Sequence, residues 1–228
     1  MRNETIALAL AVAACAGNRA GQGDAPRVAD ADLGRLGQEQ MQPVDDARRY
    51  LSSARDELAR ARLRLEQTKQ EVGLAGADQQ SADADQQRAA AQARIAEQSR
   101  EPAQLERARQ MQEKAQLAKG AAEARLDWAG KLVASRQTAE QAAQRQVQLG
   151  EARLAQSKLR ALQVVGIPAA GKYDPARFQT QVDGTQQAFD AELAKAREQE
   201  GQAVAAQQHY EDLQRRMQAS GGAAPPGG

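Results

Sequence analysis

The chain has 228 residues, a net charge of +1 and an aromatic content of only 3%. Its hydrophobic fraction of 41% is mostly alanine, which buries little area, so a thick core of large apolar side chains is excluded. Acidic and basic residues are interleaved, which leaves no basic face for nucleic acid and no acidic tail for a basic partner. The abundance of Ala, Gln, Arg, Glu and Leu favours long helices.

The chain opens with a short apolar run that extends from Thr5 to Ala14. This run is too short to cross a bilayer as a helix, which takes ~20 residues. It has the length of the apolar region of a secretory signal peptide. We therefore predict that residues 1–14 are a signal peptide that is removed from the mature protein.

The segment Val12-Ala13-Ala14-Cys15 resembles a bacterial lipobox, which has an aliphatic residue, two small residues and a cysteine. The resemblance covers only residues 1–15, but the short apolar run, the small residues and the cysteine all occur at the positions expected of a lipobox. It implies cleavage before Cys15, a diacylglyceryl thioether on that residue, an acylated new amino terminus and hence a membrane anchor. Because Ala16 and not Asp follows, the resemblance also implies the periplasmic face of the outer membrane. The alternatives are an ordinary signal peptide with a chance cysteine, or a small buried thiol.

Residues 15–42 form the next predicted segment. They are rich in Gly, Gln, Asp and Ala and show no sustained period. This composition predicts a lipidated, flexible tether between the membrane and the rest of the chain. Leu33, Leu36 and Met41 are candidates for a short helical piece within it.

Helix signals begin at Pro43, which is followed by two aspartates in the first turn. From Val44 to Ala75 the apolar residues alternate spacings of three and four through five heptads. Gly73 and Gly76 weaken this pattern, so the helix either breaks near residue 76 or continues to about residue 98. We favour a continuous helix over 43–98, because residues 77–98 contain neither Pro nor Gly.

Two further helices are predicted over about 102–164 and 175–218. Ser99 is the expected cap of the second helix, and Asp174 is the expected cap of the third. The third helix carries a strict period of seven, at Val182, Phe189, Ala196, Ala203, Tyr210 and Met217. Residues 219–228 are rich in Gly and Pro and are expected to be a disordered tail.

The predicted fold is all-α: an elongated antiparallel helical hairpin or a three-helix coiled coil over residues 43–218. Short turns imply antiparallel neighbours, and folding the chain at residues 100 and 169 fixes a register. That register places Trp128 level with Val72 and Tyr210. It also places Leu149 level with Leu51 and Phe189.

Few residues are suited to chemistry. His209 is the only histidine, and a lone imidazole without a Cys or a second His is a poor metal site. We find no Gly-rich phosphate loop, no nucleophile elbow and no paired carboxylates in an apolar setting. We therefore predict no catalytic residues, no cofactor, no metal and no small-molecule substrate.

Two places remain as candidate contacts for a partner. Trp128 is either a binding anchor or, as is more common at helical spacing, a packing residue. Val164, Val165 and Ile167 form either an exposed apolar corner or a packed one.

Together these features predict a membrane-anchored, non-enzymatic periplasmic lipoprotein that acts as a spacer, scaffold or assembly partner, through helix contacts with a protein partner or itself. One alternative is an adaptor of efflux or secretion systems. Such adaptors use long α-hairpins but also β-rich domains, for which this sequence has no segment. A second alternative is a periplasmic holdase resembling helical tentacle chaperones, whose oligomerising β-body and basic arms the sequence lacks.

Overall fold

The computed structural model describes residues 26–221, which are dominated by three long helices. Helix α1 spans Gln38–Ser99, α2 spans Pro102–Val165 and α3 spans Pro175–Gly221. This range contains no strand, and the helices pack extensively against their neighbours. The predicted all-α fold is therefore confirmed.

Helix α2 is the central helix, since it packs along α1 on one side and along α3 on the other. Ion pairs fix the direction of the first contact. Arg55 of α1 pairs with Glu151 at 3.4 Å, and Asp83 pairs with Lys119 at 2.9 Å. Because the α2 numbers fall as the α1 numbers rise, the two helices are antiparallel.

Helix α3 runs back along α2 in the predicted register. The rings of Trp128 and Tyr210 stack with their centroids 5.9 Å apart and an angle of 11° between their planes. Further along α2, Nη2 of Arg153 donates a hydrogen bond to Oε1 of Gln186 at 2.8 Å. The predicted pairing of Trp128 with Tyr210 is confirmed.

Helices α1 and α2 approach closely at Gly150, which is buried. A Cβ added to this glycine would lie only 3.2 Å from Cα of Leu51. The neighbouring Leu149 has 1% of its surface exposed. The predicted layer of Leu149 with Leu51 is thus confirmed to within one residue, and the absence of a side chain at Gly150 allows the approach.

Small side chains fill most of the seam between α1 and α2. The buried alanines recur at multiples of seven, as heptad packing requires. They are Ala61, Ala75, Ala82, Ala89 and Ala96 in α1, and Ala108, Ala115, Ala122, Ala129 and Ala143 in α2. Each such layer removes little apolar area from water and so contributes little to stability.

Helix α1 begins five residues earlier than predicted and does not break. It starts at Gln38, so Pro43 lies inside the helix, near its start. There the proline has no backbone N–H to donate, so the helix lacks one hydrogen bond. Met41 packs against the hydrophobic cluster at this end of the molecule, which favours the earlier start. Gly73 and Gly76 lie within the helix, and a Cβ at either would meet nothing within 4 Å. The alternative of one continuous helix is confirmed.

Only two residues, Arg100 and Glu101, connect α1 to α2. Arg100 adopts a left-handed conformation with φ of 56°, and Glu101 occupies the N-cap position before Pro102. Ser99 does not cap α2, so that prediction is wrong. Its hydroxyl instead donates to the carbonyl of Ala96 at 2.9 Å, which satisfies a free carbonyl at the end of α1.

The connection from α2 to α3 begins with a glycine cap. Gly166 has φ of 70°, a conformation that glycine adopts without steric cost. The N–H of Ile167 bonds back to the carbonyl of Leu162 at 3.0 Å, which closes the end of α2. At the start of α3, Oδ1 of Asp174 accepts from the N–H of Ala176 at 3.0 Å. The predicted capping role of Asp174 is confirmed.

The helices differ in length, so one end of the molecule is thinner. At 1.5 Å per residue, α1 and α2 are about 93 and about 96 Å long, and α3 is about 70 Å. Gly221 lies 11 residues beyond Tyr210, which places it level with about residue 117 of α2. The α1–α2 hairpin beyond that level is called the tip, and it projects by about 24 Å. Helix α3 also extends three residues into the predicted tail, and residues 222–228 lie outside the described residues.

Where the structure describes it, the segment predicted as a flexible tether is packed, and it contains a short helical piece through Leu33, as suggested by the sequence. Residues 26–37 lead into α1 through a 3₁₀ helix at Asp30–Arg35, and Val28 and Leu33 are 5% and 6% exposed. Residues 38–42 belong to α1 itself. The segment packs because the ends of α2 and α3 offer a matching apolar surface, formed by Leu159, Leu162 and Phe178.

Candidate interaction surfaces

The predicted lipidation site, Cys15, lies outside the described residues together with the signal peptide before it. Its modification therefore stays a prediction. His209 is exposed on α3. Between residues 26 and 221 there is no group of three or more His, Cys, Asp or Glu side chains that could hold a metal ion. In the same range no helix is both long and apolar enough to cross a membrane.

The largest hydrophobic cluster lies at the end of the rod opposite the tip, which is called the base. Here residues 26–37, the start of α1, the end of α2 and the start of α3 meet. Leu159 and Leu162 are 1% and 0% exposed. Tyr173 and Phe178 pack edge to face with their ring centroids 6.1 Å apart. The base therefore holds the large buried side chains that the alanine seam lacks.

Two polar contacts fasten the N-terminal segment to the base. Nζ of Lys158 donates to Oδ1 of Asp30 at 2.5 Å, and the hydroxyl of Tyr173 donates to Oδ2 of Asp32 at 3.2 Å. The hydrogen bond from Lys158, supported by its charge, holds the pKa of Asp30 below the ordinary value of 3.8. These two contacts fix the orientation of the N-terminal segment, which is otherwise held by apolar packing.

The apolar corner between α2 and α3 is divided between packing and exposure. Ile167 packs against the base cluster. Val164 and Val165 instead point outward, with 82% and 42% of their surfaces exposed. Both interpretations of this corner are therefore right for part of it: one residue is core, and two are open to solvent or to a partner.

Basic side chains lie at the same end of the molecule as the exposed valines. Arg160 lies one helical turn before Val164 on α2. Lys172 and Arg177 line a cleft with Arg27 at the same end of the molecule. Acidic side chains lie at this end too: Asp174 caps α3, and Asp30 and Asp32 hold the N-terminal segment. The corner thus has two exposed valines at an end of the rod that carries charges of both signs, with Arg160 before the valines and Lys172 after them in the sequence.

A second surface is a groove along the rod that all three helices line, here called the central groove. Its cavity volume is about 300 Å³. Phe189 and Leu193 of α3 are its large apolar side chains, and both are half-buried. Charged groups of both signs also line it: Arg64, Arg136, Arg197, Glu57 and Glu200.

The central groove is lined mainly by alanine and by charged side chains. Ser135 supplies its one hydroxyl and is 3% exposed. This groove was not predicted from the sequence. The spacing of four between Phe189 and Leu193 was a signal for it, since both residues lie on one face of α3.

The third surface is at the tip, where α1 and α2 are the only helices within residues 26–221. Ile95 and Met111 are 63% and 42% exposed, and they line a shallow groove together with Ala96 and Ala108. Leu105 packs against the small alanine cluster beneath them. The tip therefore exposes large apolar side chains above a core of methyl groups.

Trp128 does not form a free binding anchor. It is half-buried between α2 and α3, and its ring is occupied by the stack on Tyr210. The packing interpretation of this residue is confirmed.

The sequence matches no known family model, and it has no significant similarity to a curated protein or to a solved structure.

Proposed function

We propose that the mature protein is a lipoprotein of the bacterial envelope, held by lipid on Cys15, and that its helical body acts as a spacer or scaffold in the periplasm. The observation that carries this proposal is the lipobox-like segment Val12-Ala13-Ala14-Cys15 at the end of a short apolar run. Several acyl chains on one terminus give firm attachment, because each buried CH₂ contributes ~0.8 kcal/mol. Ala16 after the cysteine supports placement at the outer membrane.

The body suits a role based on length and surface. Helix α1 alone extends for about 93 Å, which sets a long distance between two contacts. The central groove and the tip offer apolar side chains at helical spacing, and partner helices bind such grooves through residues on one face. A protein partner or a second copy is the expected ligand for these surfaces.

The anchor is tested by Cys15→Ser in the full chain expressed in bacteria. We expect loss of palmitate labelling and release of the protein from the membrane fraction. Ala16→Ser is the matched control and should keep both the label and the membrane attachment. Ala16→Asp should keep the label but move the protein to the inner membrane. A Cys15→Ser protein that loses the label and still sediments with membranes would show that the anchor lies elsewhere.

The partner is tested by photocrosslinking from the two apolar surfaces in intact cells. Probes at Phe189 in the central groove and at Ile95 on the tip should give discrete crosslinked species. A probe at Leu63, an exposed residue on α1, is the control and should give none. Recovery of the components of an efflux pump would favour the adaptor alternative over the spacer.

A further inference from the structure

The described residues begin at the base of the rod. Pro26 lines a cleft with Lys172 and Tyr173, beside the connection between α2 and α3. Val28, two residues later, is buried in the base cluster. The polypeptide that leads back to Cys15 is therefore joined to the base and not to the tip.

Covalent geometry limits how far Cys15 lies from the base. Eleven residue steps separate it from Pro26. A fully extended chain spans at most about 3.6 Å per residue, so their Cα atoms lie within about 40 Å of each other. The length of α1, about 93 Å, exceeds this reach. A lipid on Cys15 therefore keeps the base near the bilayer, while the direction of the rod remains to be set by another contact.

The corner at the base has the side chains for that contact. Val164 and Val165 are exposed beyond the last buried turn of α2. Apolar side chains enter the headgroup region of a bilayer, and nearby cations attract anionic lipid. Arg160 and Lys172 are such cations, one before and one after the two valines.

We propose that the base rests on an anionic phospholipid surface, with Val164 and Val165 in the headgroup region, and that the tip points away from the bilayer. This inference rests on the proposed lipidation of Cys15, which brings the base to the membrane. The corner then adds orientation: it holds the rod end-on, so that the central groove and the tip face the periplasm.

Site-specific fluorescence on the lipidated full chain tests the proposal. The protein is purified from membranes and reconstituted into vesicles of phosphatidylethanolamine and phosphatidylglycerol that carry a quencher on the lipid headgroup. A fluorophore is attached at Val164→Cys or, as the matched control, at Ile95→Cys, an exposed apolar residue of the tip. We expect quenching at residue 164 to exceed quenching at residue 95 several-fold.

Each other outcome overturns the proposal in a different way. Equal quenching at both residues would show that the rod lies flat on the bilayer. Protein that floats with the vesicles but is not quenched at residue 164 would exclude the lipid contact and leave the anchor intact. Protein that carries no added lipid mass and does not float would refute the proposed function as well, because the base would have no means of reaching the membrane.

A second variant separates lipid contact from simple proximity. With the fluorophore at Val165→Cys, Val164→Asp should reduce quenching several-fold, since a carboxylate is repelled by anionic headgroups. Val204→Asp on the exposed side of α3 is the matched control and should leave quenching unchanged. Unchanged quenching with Val164→Asp would show that the valines are only near the surface and do not enter it.

Discussion

Replacing Gly150 by alanine tests the close approach of α1 and α2. In a helix interior, Gly→Ala stabilises by about 1 kcal/mol because alanine has the higher helix propensity. At Gly150 the new Cβ would meet Cα of Leu51 at 3.2 Å, so the backbone of α1 has to shift by a few tenths of an ångström. Overpacking of this kind costs about 1–3 kcal/mol. Gly150→Ala should therefore be neutral or should destabilise the protein by up to about 2 kcal/mol.

Gly130→Ala is the matched control for this variant. Gly130 lies in the same helix, is exposed, and would place its new Cβ near nothing within 4 Å. It should stabilise by about 1 kcal/mol. Urea unfolding followed by circular dichroism gives both free energies, whose difference should be about 1–3 kcal/mol. Equal stabilisation by both substitutions would refute the close approach of the helices at Leu51.

Three further predictions concern the base and the α2–α3 contact. Leu162→Ala should lower the free energy of unfolding by about 2–5 kcal/mol, because the side chain is fully buried, and a loss below 1 kcal/mol would contradict a packed base. A double-mutant cycle on Trp128 and Tyr210, each changed to Ala, should give a coupling of about 0.5–1.5 kcal/mol, and no coupling would contradict the stack. The lowered pKa of Asp30 means that its pairing stabilises the protein above the ordinary value of 3.8 and is lost as the pH falls through the lowered value. Asp30→Asn should remove this part of the acid dependence, as measured by unfolding across that pH range, and an unchanged profile would exclude the ion pair.

The regular part of the fold could be predicted because helical periodicity is a local property. The heptads from Val44 to Ala75 predicted α1, and the period of seven through Phe189 and Tyr210 predicted α3. The register could be predicted too. Short turns make consecutive helices antiparallel, so the register depends only on the residues at which the chain turns. Trp128 therefore lies beside Tyr210 as expected.

Apart from the candidate helical piece at Leu33, the base could not be predicted, because its packing comes from contacts between distant segments. Val28 and Leu33 have no helical or strand period, and they become ordered only against Leu162 and Phe178, more than a hundred residues later. The same tertiary contact, through Met41, extends α1 in front of Pro43. Tertiary packing overrides local propensity in this way wherever large side chains meet.

The central groove escaped prediction for a related reason. Its lining depends on how three helices are placed side by side, which periodicity alone does not define. Phe189 was assigned to a heptad core position, yet it is only half-buried. A heptad identifies the apolar face of α3, but the extent to which that face is covered depends on the neighbouring helices.

The central claim, that a lipid on Cys15 anchors the rod, is tested most directly by the mass of the N-terminal peptide of the mature protein. The full chain is expressed in bacteria, recovered from membranes and digested, and the N-terminal peptide is sequenced by mass spectrometry. We expect a peptide that begins at Cys15 and carries a diacylglyceryl group on its sulfur and an acyl chain on its amino group. A peptide that begins at Met1, or one that contains Cys15 with a free thiol, would contradict it.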